Sequence, residues 1–273
     1  MVDSSCSKVP GFADAVREAI SASTRAFSRI VTPDDDRGDF LFNLIYSTPR
    51  ASGGAAVSLN FAGIGSLNPV EGSPFVRANS NIRLYCDNDA RWKPSEQQPG
   101  WVQDKDNGMV APESSLCTTA RDSNGQTGNL WGVRFNGRAP RVGENARRFT
   151  ITLCDALLFP GVPVPSTFLN TGGKLLDWAR FVQRTGLDEI RGVLSFTILH
   201  ELAHCFNVPG DYAYGWEKVV ALAAPQSLEN ADSYAFFGAL SILPDFWRYR
   251  DAAPAVPSRK RRARQQRVTS FSS

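Results

Sequence analysis

Apolar residues recur at helical spacing across residues 11–30, through Phe12, Val16, Ala19, Ile20, Phe27 and Ile30, which predicts one amphipathic helix laid over a core. Residues 40–46 and 55–64 predict two further short helices, weakened by glycines at 53, 54, 63 and 65. The acidic run at 33–38 reads as a solvated turn. The period then changes. Residues 81–86, 130–135 and 148–153 alternate or run apolar between glycine and asparagine turns, and predict strands of a small sheet. Between them, residues 92–128 are rich in Pro, Gly, Asp and Asn and predict long loops.

The prolines at 160, 163 and 165 give a rigid extended connector, followed by a helical pattern at 174–185. A second helix is expected to start at 186–188 with Asp188 as its cap. Its apolar positions Ile190, Val193, Leu194, Ile198, Leu199 and Leu202 surround most of the circumference, as in a helix held on several sides by the core. A last helix is expected over 228–243. The pattern is that of an α+β fold, mostly helical, with a small mixed sheet beside the central helix.

With 273 residues, of which 42% are hydrophobic, the chain can bury a substantial core. One domain is expected over residues 1–250, with a basic, disordered tail at 251–273 that carries Arg261, Arg262 and Arg264 among Pro, Gln and Ser. The net charge of +3 sits largely in that tail, so no nucleic-acid surface is expected. No stretch reads as a membrane span, and the first six residues do not read as a signal peptide.

Histidine changes the picture. The chain has two, His200 and His204, and their spacing puts both rings on one face of the central helix, one turn apart. Glu201 stands beside the first. His-Glu-x-x-His on a helix is the arrangement by which two imidazoles hold zinc while the glutamate takes a proton from the metal-bound water. Catalytic zinc keeps three protein ligands and one open position, so a third ligand is needed. Pro209 and Gly210 signal a turn that brings Asp211 back toward the helix, and Tyr214 follows three residues later. Asp211 is the preferred ligand because it is closest in sequence and carries this tyrosine, whose hydroxyl can face a developing oxyanion. Asp232, on the last helix, competes as third ligand, or else orients the site or the substrate. Glu217 and Glu229 read better as solvated helix residues.

The run from His200 to Gly215, followed by Asn230-Ala231-Asp232, resembles the aspzincin metallopeptidases, the family of deuterolysin and the fungal lysine-specific metallo-endopeptidases. The resemblance implies a zincin-like fold whose zinc-site half spans about 188–243. It implies one zinc ion held by His200, His204 and Asp211, with Glu201 and Tyr214 as catalytic residues and proteins or peptides as substrates of a secreted, monomeric endopeptidase. It also suggests disulfides joining Cys6 to Cys86 and Cys117 to Cys154, which would require an oxidising compartment. Cys205 is then left over as a buried, small apolar residue. Lysine-specific members carry a glutamate three residues after the aspartate of Asn-Ala-Asp. Ala235 stands there, so a broader specificity is expected. The alternative in another class is a non-catalytic, zinc-stabilised binding or effector domain of the same fold, which would have no use for Glu201.

Overall fold

The computed structural model describes residues 1–96, 98–105, 109–117, 131–138, 147–158, 166–168 and 187–242. The connector at 160–165, the helix expected at 174–185 and the tail at 251–273 lie outside these residues.

Five helices of ten or more residues build the described part of the core: α1 (Phe12–Val31), α2 (Asp36–Tyr46), α3 (Arg50–Gly65), α4 (Leu194–Cys205) and α5 (Ala231–Ile242). α1 buries the stripe read from the sequence, including Phe12, Val16, Ala19 and Ile30, against α3, α4 and α5. α2 and α3 run longer than expected. α3 begins at Arg50 and passes through Gly53 and Gly54, both buried. A β-carbon at Gly53 would stand 2.9 Å from Thr48 Cγ2 and 3.1 Å from a Leu228 methyl. Close packing, which local propensity does not register, therefore outweighs the glycine penalty of about 1 kcal/mol there.

α5 is buried along Ala231–Ser241 and lies between α4 and α2, with Tyr234, Phe236 and Phe237 fully buried. Phe42, Tyr46, Phe61, Tyr234 and Phe237 form one aromatic cluster with centroid separations of 4.7 to 5.9 Å. Phe196 on α4 meets Phe236 edge-on at 4.9 Å. Each buried ring contributes about 2 kcal/mol of transfer free energy, so the cluster fixes α5 against α2 and α3, and Phe196 fixes it against α4.

β1 (Ile82–Tyr85), β5 (Gly132–Arg138) and β6 (Arg147–Leu153) form the small mixed sheet, in the order β1, β6, β5, with β6 parallel to β1 and antiparallel to β5. The free side of β1 is met by Val2, which bridges Leu84. On the other side, β5 has no described neighbour beyond β6, and it runs beside α4.

The region expected to be loops holds a second sheet instead, β2 (Trp92–Pro94), β3 (Trp101–Asp104) and β4 (Val110–Pro112), all antiparallel. Strands of three or four residues are too short to show an alternating pattern between prolines and glycines, and pairing alone defines them. The two sheets are tied by Arg91. Its Nε donates to Asp87 at 2.9 Å, its Nη1 lies 3.3 Å from the Asp104 carboxylate, and its guanidinium sits 3.3 Å above the Tyr85 ring. Two disulfides, Cys6–Cys86 and Cys117–Cys154, close the amino-terminal half as the family resemblance implied. No described helix is long and apolar enough to cross a membrane.

Candidate metal centre

Asp188 does not cap α4. Residues Leu187–Gly192 form a 3-10 turn, α4 starts at Leu194, and Asp188 Oδ1 accepts from Trp216 N at 2.6 Å, capping the short helix Trp216–Val219. A side chain that suits an N-cap is equally suited to a turn brought near by the fold. The start of α4 is held by another acid. Buried Glu18 of α1 accepts from Ser195 Oγ at 2.5 Å and from Phe168 N at 2.6 Å.

Every residue of α4 is buried. Its end is set by Asn207 in the left-handed conformation, after which the chain turns back along α5. That return is pinned at four places. Gly210 N donates to Glu229 O at 2.9 Å and Ala231 N to Gly210 O at 3.0 Å. Ala213 N donates to Asn230 Oδ1 at 3.0 Å, and Gly215 N to Asp232 Oδ2 at 2.9 Å. The Asn-Ala-Asp triplet therefore works as a mould for the loop that carries Asp211 and Tyr214.

Three donor atoms meet as a result. Asp211 Oδ1 lies 3.2 Å from His200 Nε2 and 3.3 Å from His204 Nε2. A tetrahedral zinc with bonds near 2.0–2.1 Å separates its ligand atoms by about 3.3 Å, which the two separations from Asp211 match, and all three atoms lie within 4.8 Å of one another. Among the described residues it is the group of His, Cys, Asp and Glu with metal-binding proximity. Both imidazoles are turned the right way by their other nitrogens. His200 Nδ1 donates to Asp232 Oδ1 at 2.8 Å and His204 Nδ1 to the carbonyl of Val208 at 2.7 Å, which turns each Nε2 toward Asp211. Asp232, the rival ligand, is buried, and both its oxygens are engaged away from the cluster.

The imidazoles and carboxylates of the site perturb one another. Burial disfavours the His200 imidazolium, yet hydrogen bonds to Asp211 and Asp232 and the charges of Asp232 and Glu201 outweigh it, raising its pKa to about 10. For Asp211, burial is likewise outweighed by the two imidazoles, which hold its carboxyl far below the ordinary range. Two imidazoles among three carboxylates are a place where a divalent cation replaces protons. Burial pushes Glu201 upward, partly offset by His200 and His204. Its carboxylate rests against β5, where a β-carbon on Gly132 would stand 2.6 Å from Oε1. Tyr214 lies nearly parallel to His200, with centroids 6.0 Å apart, and burial and the Asp211 charge keep its hydroxyl protonated.

Residues 185–239 match the family described as lysine-specific metallo-endopeptidase, the aspzincins. This stretch is similar to the aspzincins. Within it the chain is 42% identical over 62 residues to neutral protease 2 homolog MEP5 of Coccidioides posadasii, an alignment covering 21% of this chain and 17% of that protein. It is 50% identical over 48 residues to neutral protease 2 homolog MEP6 of the same organism, covering 16% and 14%. A neutral protease 2 homolog of Uncinocarpus reesii is 42% identical over 50 residues, covering 17% and 14%. The chain thus spans less than a fifth of the length of these relatives. The aspzincin-like segment coincides with α4, the returning loop and α5, the elements that assemble the donor cluster.

Three participants escaped the sequence reading. Gly132 backs Glu201, the Val208 carbonyl orients His204, and Arg191 lies beside Asp232 and Tyr214. None has a local signature, since each acts through an approach between distant parts of the chain. Cys205 is buried and free, as expected, with burial raising its thiol pKa.

Proposed function

We propose that the chain is a zinc-dependent metalloendopeptidase of zincin-like fold that hydrolyses peptide bonds in proteins or peptides. The observation that carries this is the convergence of His200 Nε2, His204 Nε2 and Asp211 Oδ1 on one point within an aspzincin-like segment, with the Glu201 carboxylate alongside. His200, His204 and Asp211 would hold the ion. When bound, zinc lowers the pKa of a coordinated water and polarises the scissile carbonyl.

Glu201 takes the proton of the attacking water and hands it to the departing amine. Its raised pKa, caused first by burial, suits a group that must both accept and release a proton. Tyr214 keeps its proton and donates a hydrogen bond to the oxyanion of the tetrahedral intermediate. Asp232 does not touch substrate. It fixes the His200 tautomer and, through Gly215, the loop that bears Tyr214. The edge of β5 that has no neighbour among the described residues, next to α4, is the strand against which an extended substrate backbone pairs.

Lysine specificity is not supported. Asp232 is fully engaged and Ala235 is buried, so these two positions supply no pair of carboxylates to hold an ammonium. The two disulfides fit a protein that works outside the cell. The test is casein digestion with and without chelator, repeated on Glu201→Gln. The parent should cut in a chelator-sensitive way, and the variant should retain zinc and lose cleavage. A variant that cuts as fast as the parent would overturn the mechanism. A parent that binds zinc and never cuts would instead favour a non-catalytic binding domain.

A further inference from the structure

Beside the donor cluster stands a cation that the hydrolytic mechanism does not use. Arg191 ends the 3-10 turn before α4, with a side chain 26% exposed. Its Cζ lies 5.1 Å from the ring centre of Trp131 and 5.5 Å from that of Tyr214, so the guanidinium is held by two aromatic rings. Its Nε is 3.1 Å from Asp232 Oδ2 but is not aligned for a hydrogen bond, and that oxygen is already taken by Gly215 N. Among the described residues, neither terminal nitrogen has a hydrogen-bond partner.

We propose that Arg191 forms an anion-binding subsite of the cleft, which takes a carboxylate of the substrate. The inference rests on the peptidase reading of the neighbouring centre. A planar guanidinium beside two aromatic rings offers its terminal nitrogens as a fork, the geometry that a carboxylate fills with two parallel hydrogen bonds. The Asp232 charge does not neutralise it fully, because that carboxylate also serves His200 and Gly215. Tyr214 stacks on both His200 and Arg191, which places the fork one ring away from the metal-holding imidazole. The carboxylate it takes therefore belongs to a residue near the scissile bond. It is either an aspartate or glutamate side chain or a free carboxyl terminus.

The experiment uses a peptide with one internal glutamate near the cleaved bond, its glutamine twin, and both with acid and amide termini. These are assayed on the zinc-loaded parent, Arg191→Gln and Arg191→Lys. The parent should favour glutamate over glutamine about tenfold in kcat/KM, the scale of one charge-assisted contact, and Arg191→Gln should erase that preference. Arg191→Lys, which keeps the charge and loses the fork, should retain part of it. If the carboxylate is the chain terminus, the preference appears between acid and amide forms instead. Loss of rate by the same factor on all peptides, with the preference intact, would make Arg191 a support for Asp232 only and would overturn the subsite. Calorimetric binding of the two peptides to metal-stripped parent and to Arg191→Gln separates this inference from the peptidase reading. If nothing is cleaved yet the glutamate peptide binds more tightly to the parent alone, the subsite stands without the peptidase. Binding to the parent that differs neither between glutamate and glutamine nor between acid and amide forms refutes it.

Discussion

Gly132 offers the sharpest check on how the fold places Glu201. Replacing it by alanine puts a carbon 2.6 Å from Glu201 Oε1, 2.9 Å from Cδ and 3.0 Å from Cγ. Carbon and oxygen that do not bond settle near 3.5 Å, so something must move by about 0.5–1 Å. The β5 backbone is held by its register with β6, Gly132 opposite Leu153, and gives less readily than the end of a glutamate side chain. The carboxylate therefore shifts. Folding loses about 1 kcal/mol, the low end for inserting one methyl into a packed interior. Catalysis loses far more, since displacing a reacting group by about 1 Å costs on the order of a hundredfold. The assay is kcat and KM on a fluorogenic peptide, with zinc content and thermal melting of Gly132→Ala alongside. A hundredfold fall in kcat with zinc and melting little changed is expected. Full activity in a folded variant would show that Glu201 is not fixed by this strand.

Other outcomes follow from the same geometry. Tyr214→Phe should lower kcat about a hundredfold with KM nearly unchanged, the effect of removing one oxyanion donor, and an equal rate would remove Tyr214 from the mechanism. In metal-free protein, His200 has its pKa raised from 6.5 to about 10, so its contribution to stability is complete below about pH 6.5 and is lost as pH rises toward 10. Asp211, with its pKa lowered, contributes above its ordinary value and loses that contribution on acidification. Urea midpoints of chelated protein should therefore fall between about pH 6.5 and about pH 10, and a flat profile there would count against the His200 contacts. Replacing Cys6 and Cys86 by serine opens a loop with a sequence separation of 80 and should cost about 4 kcal/mol, read from denaturant unfolding. A cost near zero would mean that the unfolded chain is not restrained by the bridge.

What could be read in advance was whatever depends on short sequence spacing. The period of α1 gave its buried face, and two histidines one turn apart put two imidazoles on one side of α4. Pro209-Gly210 predicted the turn that returns Asp211, because proline and glycine restrict or free the backbone locally wherever they occur. The Asp188 cap was misplaced for the converse reason. An aspartate can cap whichever turn comes within reach, and here Trp216 came closer than the start of α4.

Tertiary structure alone decided the rest. Asp211 Oδ1 lies within 3.3 Å of both Nε2 atoms, whereas Asp232 is turned onto His200 Nδ1 and Gly215 N. That depends on the loop being moulded onto α5 by Asn230 and Asp232, residues distant from His204 in the chain. Gly132 against Glu201, Arg191 between Trp131 and Tyr214, and the three short strands of the second sheet likewise arise from approaches between separated segments. Backbone preference and side-chain periodicity act over a few residues and are written in the chain. The distance between two side chains far apart in sequence is set by the packing of everything between them.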